Sequence, residues 1–256
     1  MPRCFPPMSG PQAFGNCEDF LPRTPQRNDT RFVTSNLEAT GWPQPAFAKP
    51  GWRRGLAVAL GCSVIALDLT MFRDQAVAAG ATRPLVGVGV LVAFLALGGG
   101  VAELGLRFRP IPSTRYWRRA IVIYCAACVV FIATAGVVCW LRDVPIRSQF
   151  AEEREILWFA RSACLHAPIT EELLYRLALC APLAAPIGRF ATIAVSSAVF
   201  SYLHVRWGNF EPTHAVGGAI LAWAYLRSGC LWLPIVLHAI GNLFALAVDT
   251  ILFYSA

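Results

Sequence analysis

The sequence predicts an all-α fold, a polytopic transmembrane helix bundle of about seven spans (six to eight) at about 20 apolar residues each. Three observations carry this. Of 256 residues, 56% are apolar and only 14% charged, where a soluble domain has roughly a quarter charged. The mean hydropathy is +0.53. Most of the basic residues fall between apolar runs. The formal net charge is +7, and apart from Lys49 every basic side chain is arginine. In a soluble chain that balance would suggest nucleic acid. Between apolar runs it marks topology instead, so the expected surroundings are the bilayer of the cell (inner) membrane, with no nucleic-acid partner.

Residues 1–50 hold nine of the 18 prolines, with scattered polar residues and both signs of charge. Such a segment buries too little surface to offset its chain entropy, and a disordered tail is expected. No apolar core follows its first basic residue, unlike a signal peptide. Residues 51–150 are expected to form the N-terminal transmembrane helices and 151–256 the helices that carry the chemistry.

The spans fall near 55–72, 84–106, 119–141, 156–184, 189–205, 212–227 and 229–253. Asp68 interrupts the first. Pro110, Pro112, Pro145, Pro186 and Pro212 sit between spans as breakers. Gly98-Gly99-Gly100 reads as a site of close helix packing. Trp140, Trp207, Trp223 and Trp232 read as interfacial anchors. Arginine counts place the N-terminus and the link between the second and third spans in the cytoplasm, which with seven spans puts the C-terminus outside. Most of the nine cysteines lie in apolar runs, where cysteine is a small hydrophobe. Cys125 and Cys128 form a CxxC only as an i,i+3 pair of one helix, without a second ligand pair for zinc.

Ionisable groups inside spans are costly and are functional candidates. All four histidines lie between 166 and 238, as do the adjacent carboxylates Glu171 and Glu172. Helical spacing puts Glu172 and Arg176 on one face at i,i+4, where they can pair. Glu171 is rotated about 100° away, so it is the carboxylate without this arginine, suited to general-base work. Taken alone, the motif also fits a buried ion pair at a helix contact. Phe200 and His204 share a face in the fifth span, as do His238 and Asn242 in the seventh. Pro234 should loosen the helix one turn before His238. His214 and Glu211 read as loop residues. Polar groups on one face of three spans are best explained by a common polar cavity.

The three motifs, EExxxR (Glu171, Glu172, Arg176), FxxxH (Phe200, His204) and HxxxN (His238, Asn242), stand in that order on successive helices. They resemble the signature motifs of the CPBP family of type II CAAX prenyl endopeptidases and bacteriocin-processing or Abi-type proteins, over roughly 155–245. The resemblance implies a glutamate-dependent intramembrane endopeptidase with no cofactor and no metal. Its substrate would be a membrane-associated protein or peptide, with or without a lipid group. By position, Glu171 would activate water with help from His204, and His238 and Asn242 would stabilise the oxyanion. Glu172, Arg176 and Phe200 would support them. Two alternatives stay open: a zinc-dependent membrane peptidase using Glu171, His204 and His238, and a non-enzymatic scaffold or immunity protein that keeps the fold.

Overall fold

The computed structural model describes residues 41–71, 76–206, 208 and 212–255, without the side chains of 71 and 76–81. Among them the chain is all-α, with seven helical stretches. These are α1 (Trp52–Met71), α2 (Ala76–Ala96), α3 (Thr114–Leu141), α4 (153–187), α5 (Arg189–Arg206), α6 (Thr213–Ser228) and α7 (Trp232–Ser255). Two of them, α3 and α7, are long and apolar enough to cross a bilayer by length and composition. The apolar stretch of α3 has no buried residue. Most of the expected tail, Trp207 and Glu211 lie outside the described residues.

The central element is α4. It packs on α1, α2, α5, α6 and α7, and its sequence explains its irregular backbone. Alpha-helical turns at Glu153–Arg161, Ala167–Glu172 and Ala181–Ile187 alternate with π-helical stretches at Ser162–His166 and Leu173–Cys180. Each π stretch ends at an Ala-Pro pair. The Ala167 N–H bonds back to the Ser162 carbonyl, and the Ala181 N–H to the Arg176 carbonyl. Pro168 and Pro182, next in line, have no N–H to offer. The carbonyls of Ala163 and Leu177 therefore lack both their α and their π partner within the helix. The glutamate pair sits on the short turn between the two stretches, a placement of π-bulges that recurs at functional sites.

Tight approach to α4 depends on glycine. A Cβ on Gly61 of α1 would fall on the Ala178 carbonyl oxygen, and one on Gly87 of α2 would come within 2.8 Å of the Leu173 Cβ. Behind these contacts Ala57, Val64, Val90, Phe94, Leu174, Leu177 and Phe200 form one buried cluster. A second cluster of Trp117, Leu221, Ala224, Leu233 and Leu237 joins α3, α6 and α7.

Several expectations are corrected here. The second helix runs from Ala76 to Ala96, not 84 to 106, and it contains Pro84. The triple glycine is its terminator, not a packing surface. Gly98 has φ +86°, with Gly98 N–H to Leu95 O and Gly99 N–H to Phe94 O, both 2.9 Å. That is the Schellman arrangement, which needs a residue free to adopt the left-handed conformation. Glu103 consequently lies in the connection after α2 rather than in a span. Pro186 stands in the last turn of α4, and Gly188 ends it. Pro234 lies in the first turn of α7, where no intrahelical bond is required of its nitrogen, so it loosens nothing. The last ten residues of the expected tail, 41–50, do not hang free as a group: Ala46 and Phe47 are buried. Trp42 packs edge-on to Phe190 and lies against the Arg189 and Arg227 guanidiniums. These aromatic and aliphatic anchors give the segment an apolar surface to bury.

Both ends of the bundle are tied by polar contacts. At one end the Leu231 N–H reaches Gly105 O at 2.6 Å and the Ile111 N–H reaches Ser228 O at 3.0 Å. There too the Tyr225 hydroxyl donates to Leu104 O and Arg189 to Pro43 O. At the other end Gln149 donates to Asp249 at 2.6 Å, and the Tyr254 hydroxyl to Glu153 at 2.7 Å. Trp140 and Trp232 stand at helix ends, while Trp223 stacks on Trp117 inside the second cluster.

Candidate functional site

Glu171, Glu172, Arg176, Phe200 and His238 converge in the interior, brought together by α4, α5 and α7. Arg176 is completely buried. Its Nε donates to Glu172 Oε2 at 2.7 Å and its Nη1 to the Ser196 hydroxyl at 2.6 Å. The guanidinium also lies 5.3 Å from the Phe200 ring centre. A buried charge needs this degree of pairing. The expected i,i+4 pair is therefore present, and Ser196 is a partner that spacing along α4 could not reveal.

The other oxygen of Glu172 fixes His238. Nδ1 of His238 lies 2.9 Å from Glu172 Oε1. A carboxylate paired with arginine can only accept, so Nδ1 carries the hydrogen and Nε2 faces the remaining carboxylate. Glu171 Oε2 is 3.8 Å from that nitrogen. This oxygen is buried and has no hydrogen-bond partner. The gap is too long for a direct hydrogen bond. Glu172 is thus saturated by Arg176 and His238, whereas Glu171 keeps an oxygen without a partner.

Phe200 organises the histidines. Its ring centre is 4.4 Å from that of His204, 5.9 Å from His238 and 5.4 Å from Tyr175. His204 Nδ1 lies 2.8 Å from the Phe200 carbonyl. Since a carbonyl only accepts, Nδ1 donates, and Nε2 is the acceptor of the neutral ring. His204 also stacks on His214 at 4.0 Å between ring centres. His214, expected as a loop residue, is in the first turn of α6 and belongs to the cluster. Its signal was only its place among four histidines.

Asn242 plays a part in the backbone. Its Nδ2 donates to the Ala163 carbonyl at 2.6 Å. That is one of the two carbonyls deprived of partners by an Ala-Pro pair, so the side chain of α7 completes the hydrogen bonding of α4. One N–H of the amide remains for another acceptor.

A second polar group lies on the opposite flank of α4. Asp68 is fully buried and accepts from Arg83 Nε at 2.8 Å and Nη2 at 3.0 Å. The Tyr175 hydroxyl donates to Asp68 at 2.8 Å. Sequence reading saw Asp68 only as an interruption of the first span. Arg83 and Tyr175 went unnoticed, because partners 15 and 107 residues from Asp68 on other helices leave no periodic trace. Among the described residues no three His, Cys, Asp or Glu side chains converge as a set of metal ligands. The seven described cysteines are all free.

This is a helical protein with a buried centre of two glutamates, an arginine and histidines, its charges paired across helices. Residues 153–244 match the family model described as type II CAAX prenyl endopeptidase Rce1-like. Over that segment the chain is similar to the Rce1-like family, as its three motifs led one to expect, and that family is one of polytopic membrane hydrolases. No curated protein and no solved structure matches the chain.

Proposed function

We propose that this chain is an intramembrane endopeptidase that cleaves a membrane-associated protein or peptide by glutamate-activated water. The supporting observation is the buried, unpartnered Glu171 Oε2, 3.8 Å from an imidazole nitrogen fixed by Glu172. Polar groups that far apart are commonly bridged by a water. Glu172 and Arg176 offset each other's charge, as do Asp68 and Arg83. Glu171 and His238 then hold the charge that is free to change during a reaction.

In the reaction a water is bound between Glu171 and the histidines, and Glu171 takes one of its protons as the hydroxide attacks the scissile carbonyl. His204 Nε2 accepts the other hydrogen of that water in a hydrogen bond and orients it. The oxyanion accepts from the second N–H of Asn242 and from His238 when its Nε2 is protonated. The proton on Glu171 passes to the leaving nitrogen as the C–N bond breaks. The products are a carboxylic acid and an amine. Phe200 keeps the rings in place and excludes other water.

The seven helices act as seven spans, in the cell membrane. One end gathers the chain around 41–51, 97–113, 188 and 229–231. It carries Lys49, Arg53, Arg54, Arg107, Arg109, Arg115, Arg118 and Arg119, which faces it to the cytoplasm. A zinc peptidase would use Glu171, His204 and His238 as ligands of one ion. Cleavage that survives a strong chelator agrees with the metal-free reading; loss restored by zinc would replace it.

The test compares new protein N-termini, by mass spectrometry, in membranes holding equal amounts of wild type and Glu171→Gln. Termini made only by the wild type establish proteolysis and identify the cut site. Identical sets would end the protease reading and leave the scaffold or immunity role.

A further inference from the structure

Asp68 and Arg83 of the Asp68–Arg83–Tyr175 group stand on α1 and α2, ahead of the family match, which begins at residue 153 and includes only Tyr175. We propose that the group is a positioning device for Glu171, holding the carboxylate from the flank opposite Glu172, Arg176 and His238. The inference rests on the general-base reading of Glu171 given above.

Four observations carry it. The first is position. Gly87 of α2 meets Leu173 of α4, and the two helices run toward the same end of the bundle. Arg83, one turn earlier on α2, is then level with the turn that carries Glu171. Tyr175 stands at i,i+4 from Glu171 on α4. The second is geometry. Arg83 grips Asp68 with two nitrogens, and its Nη2 also reaches the Tyr175 hydroxyl at 3.3 Å. Tyr175 gives its own hydrogen to Asp68. The guanidinium is thereby locked between three helices.

The third is electrostatic range. Arg83 and Tyr175 lie close enough to Glu171 for its charge to be felt at both, without a direct contact. Glu171 therefore faces Arg83 and Tyr175 on one side, and His238, Glu172 and Arg176 on the other. The fourth is energetic. A buried ion pair is weak evidence of stability, because apolar side chains of the same volume often serve as well. A locked cation beside an unpartnered carboxylate has a use that apolar packing cannot supply: it limits where that carboxylate can point.

The experiment separates positioning from packing. Asp68→Asn with Arg83→Met in one chain removes both charges of the pair together, so neither is left buried alone. Folding is read from thermal unfolding in detergent, and activity from hydrolysis of a synthetic peptide spanning a Glu171-dependent cut site. Positioning predicts a folded double variant with kcat down by about 10²-fold and KM little changed. It also predicts that Arg83→Lys, which keeps a cation beside Glu171, recovers more activity than Arg83→Met at equal folded amount. Wild-type kcat in a folded double variant overturns the proposal and makes the group an element of packing. A double variant that fails to fold passes the decision to the lysine and methionine pair, and equal kcat in those two overturns it as well. If no cut site depends on Glu171, the protease reading fails first and takes the proposal with it. A Glu171-dependent cut with no response to Arg83 overturns the positioning role alone.

Discussion

Gly61 is where α1 comes closest to the backbone of α4, and Gly61→Ala should weaken the protein although alanine is the better helix former. The new Cβ would fall on the Ala178 carbonyl oxygen. That oxygen belongs to a π stretch one residue past Leu177, and its α-helical partner would be Pro182, which has no N–H. The obstacle is backbone, so no rotamer change removes it; α1 must move away or the π stretch must deform. Overpacking of this kind costs about 1–3 kcal/mol or somewhat more, and Gly to Ala within a helix returns about 1 kcal/mol. Because the obstacle is backbone the cost lies at the upper end, about 3 kcal/mol, so the net loss is about 2 kcal/mol, corresponding to a fall in Tm of about 4–8 °C. Gly89→Ala is the matched control, because a Cβ there meets nothing within 4 Å. It should gain up to about 1 kcal/mol. Both variants are measured by thermal unfolding in the same detergent, beside cleavage of the peptide substrate. Activity should fall in Gly61→Ala more than folded protein does, since the strained stretch begins directly after the glutamate turn. The reasoning is refuted if Gly61→Ala is as stable as the wild type, or if the two glycines respond alike.

Two further outcomes are expected. Asn242→Ala leaves the Ala163 carbonyl without a partner at a half-buried position, which should lower stability by about 1–3 kcal/mol and cut turnover by about 10²–10³. Both effects are read on the one variant by unfolding and peptide cleavage. Near the membrane surface, the Glu155 carboxylate accepts the N–H groups of Ala151 and Glu152, and these bonds hold its carboxyl below the usual range. Its folded value is depressed, so its stabilising contribution is present above the ordinary carboxylate range. That contribution disappears as pH falls through the lowered value. Glu155→Gln should flatten the acid side of the unfolding profile between those two points, and an unchanged acid side would contradict the capping role.

The helices and the three motifs were legible because each is a local property. Apolar run length gives the helices, and spacing of three to four residues puts Glu172 beside Arg176 and Phe200 beside His204. The pairing of Glu172 with Arg176 followed directly. Contacts between distant segments were not legible. Nothing local joins Asp68 to Tyr175, Arg176 to Ser196 or His204 to His214. Asn242 illustrates the limit well. Its spacing from His238 was visible, yet its bond to Ala163 depends on two hydrogen-bonding faults in another helix. Punctuation was the other weak point. Proline and glycine signal an interruption without saying which kind. Pro234 therefore read as a loosened helix when it opens one, and Gly98 as a packing site when it closes one. The segment 41–50 was misjudged by averaging. It is rich in proline, but Trp42, Ala46 and Phe47 give it something to bury.

The way α1 and α2 press into the π stretch of α4 also limits how this protein can be taken apart. The segment that carries the family's motifs is not a cassette. Cut out alone, it would expose the faces of Leu173, Leu174, Leu177 and Ala178 that the first two helices now cover. It would also lose the only partners of the Tyr175 hydroxyl among the described residues. A chimera that grafts the motif-bearing half onto foreign N-terminal helices must supply small residues where Gly61 and Gly87 stand and an acid–arginine pair facing Tyr175. The unit of exchange is the bundle from α1 onward, and its seams lie at the connections between helices rather than at the borders of the recognisable sequence.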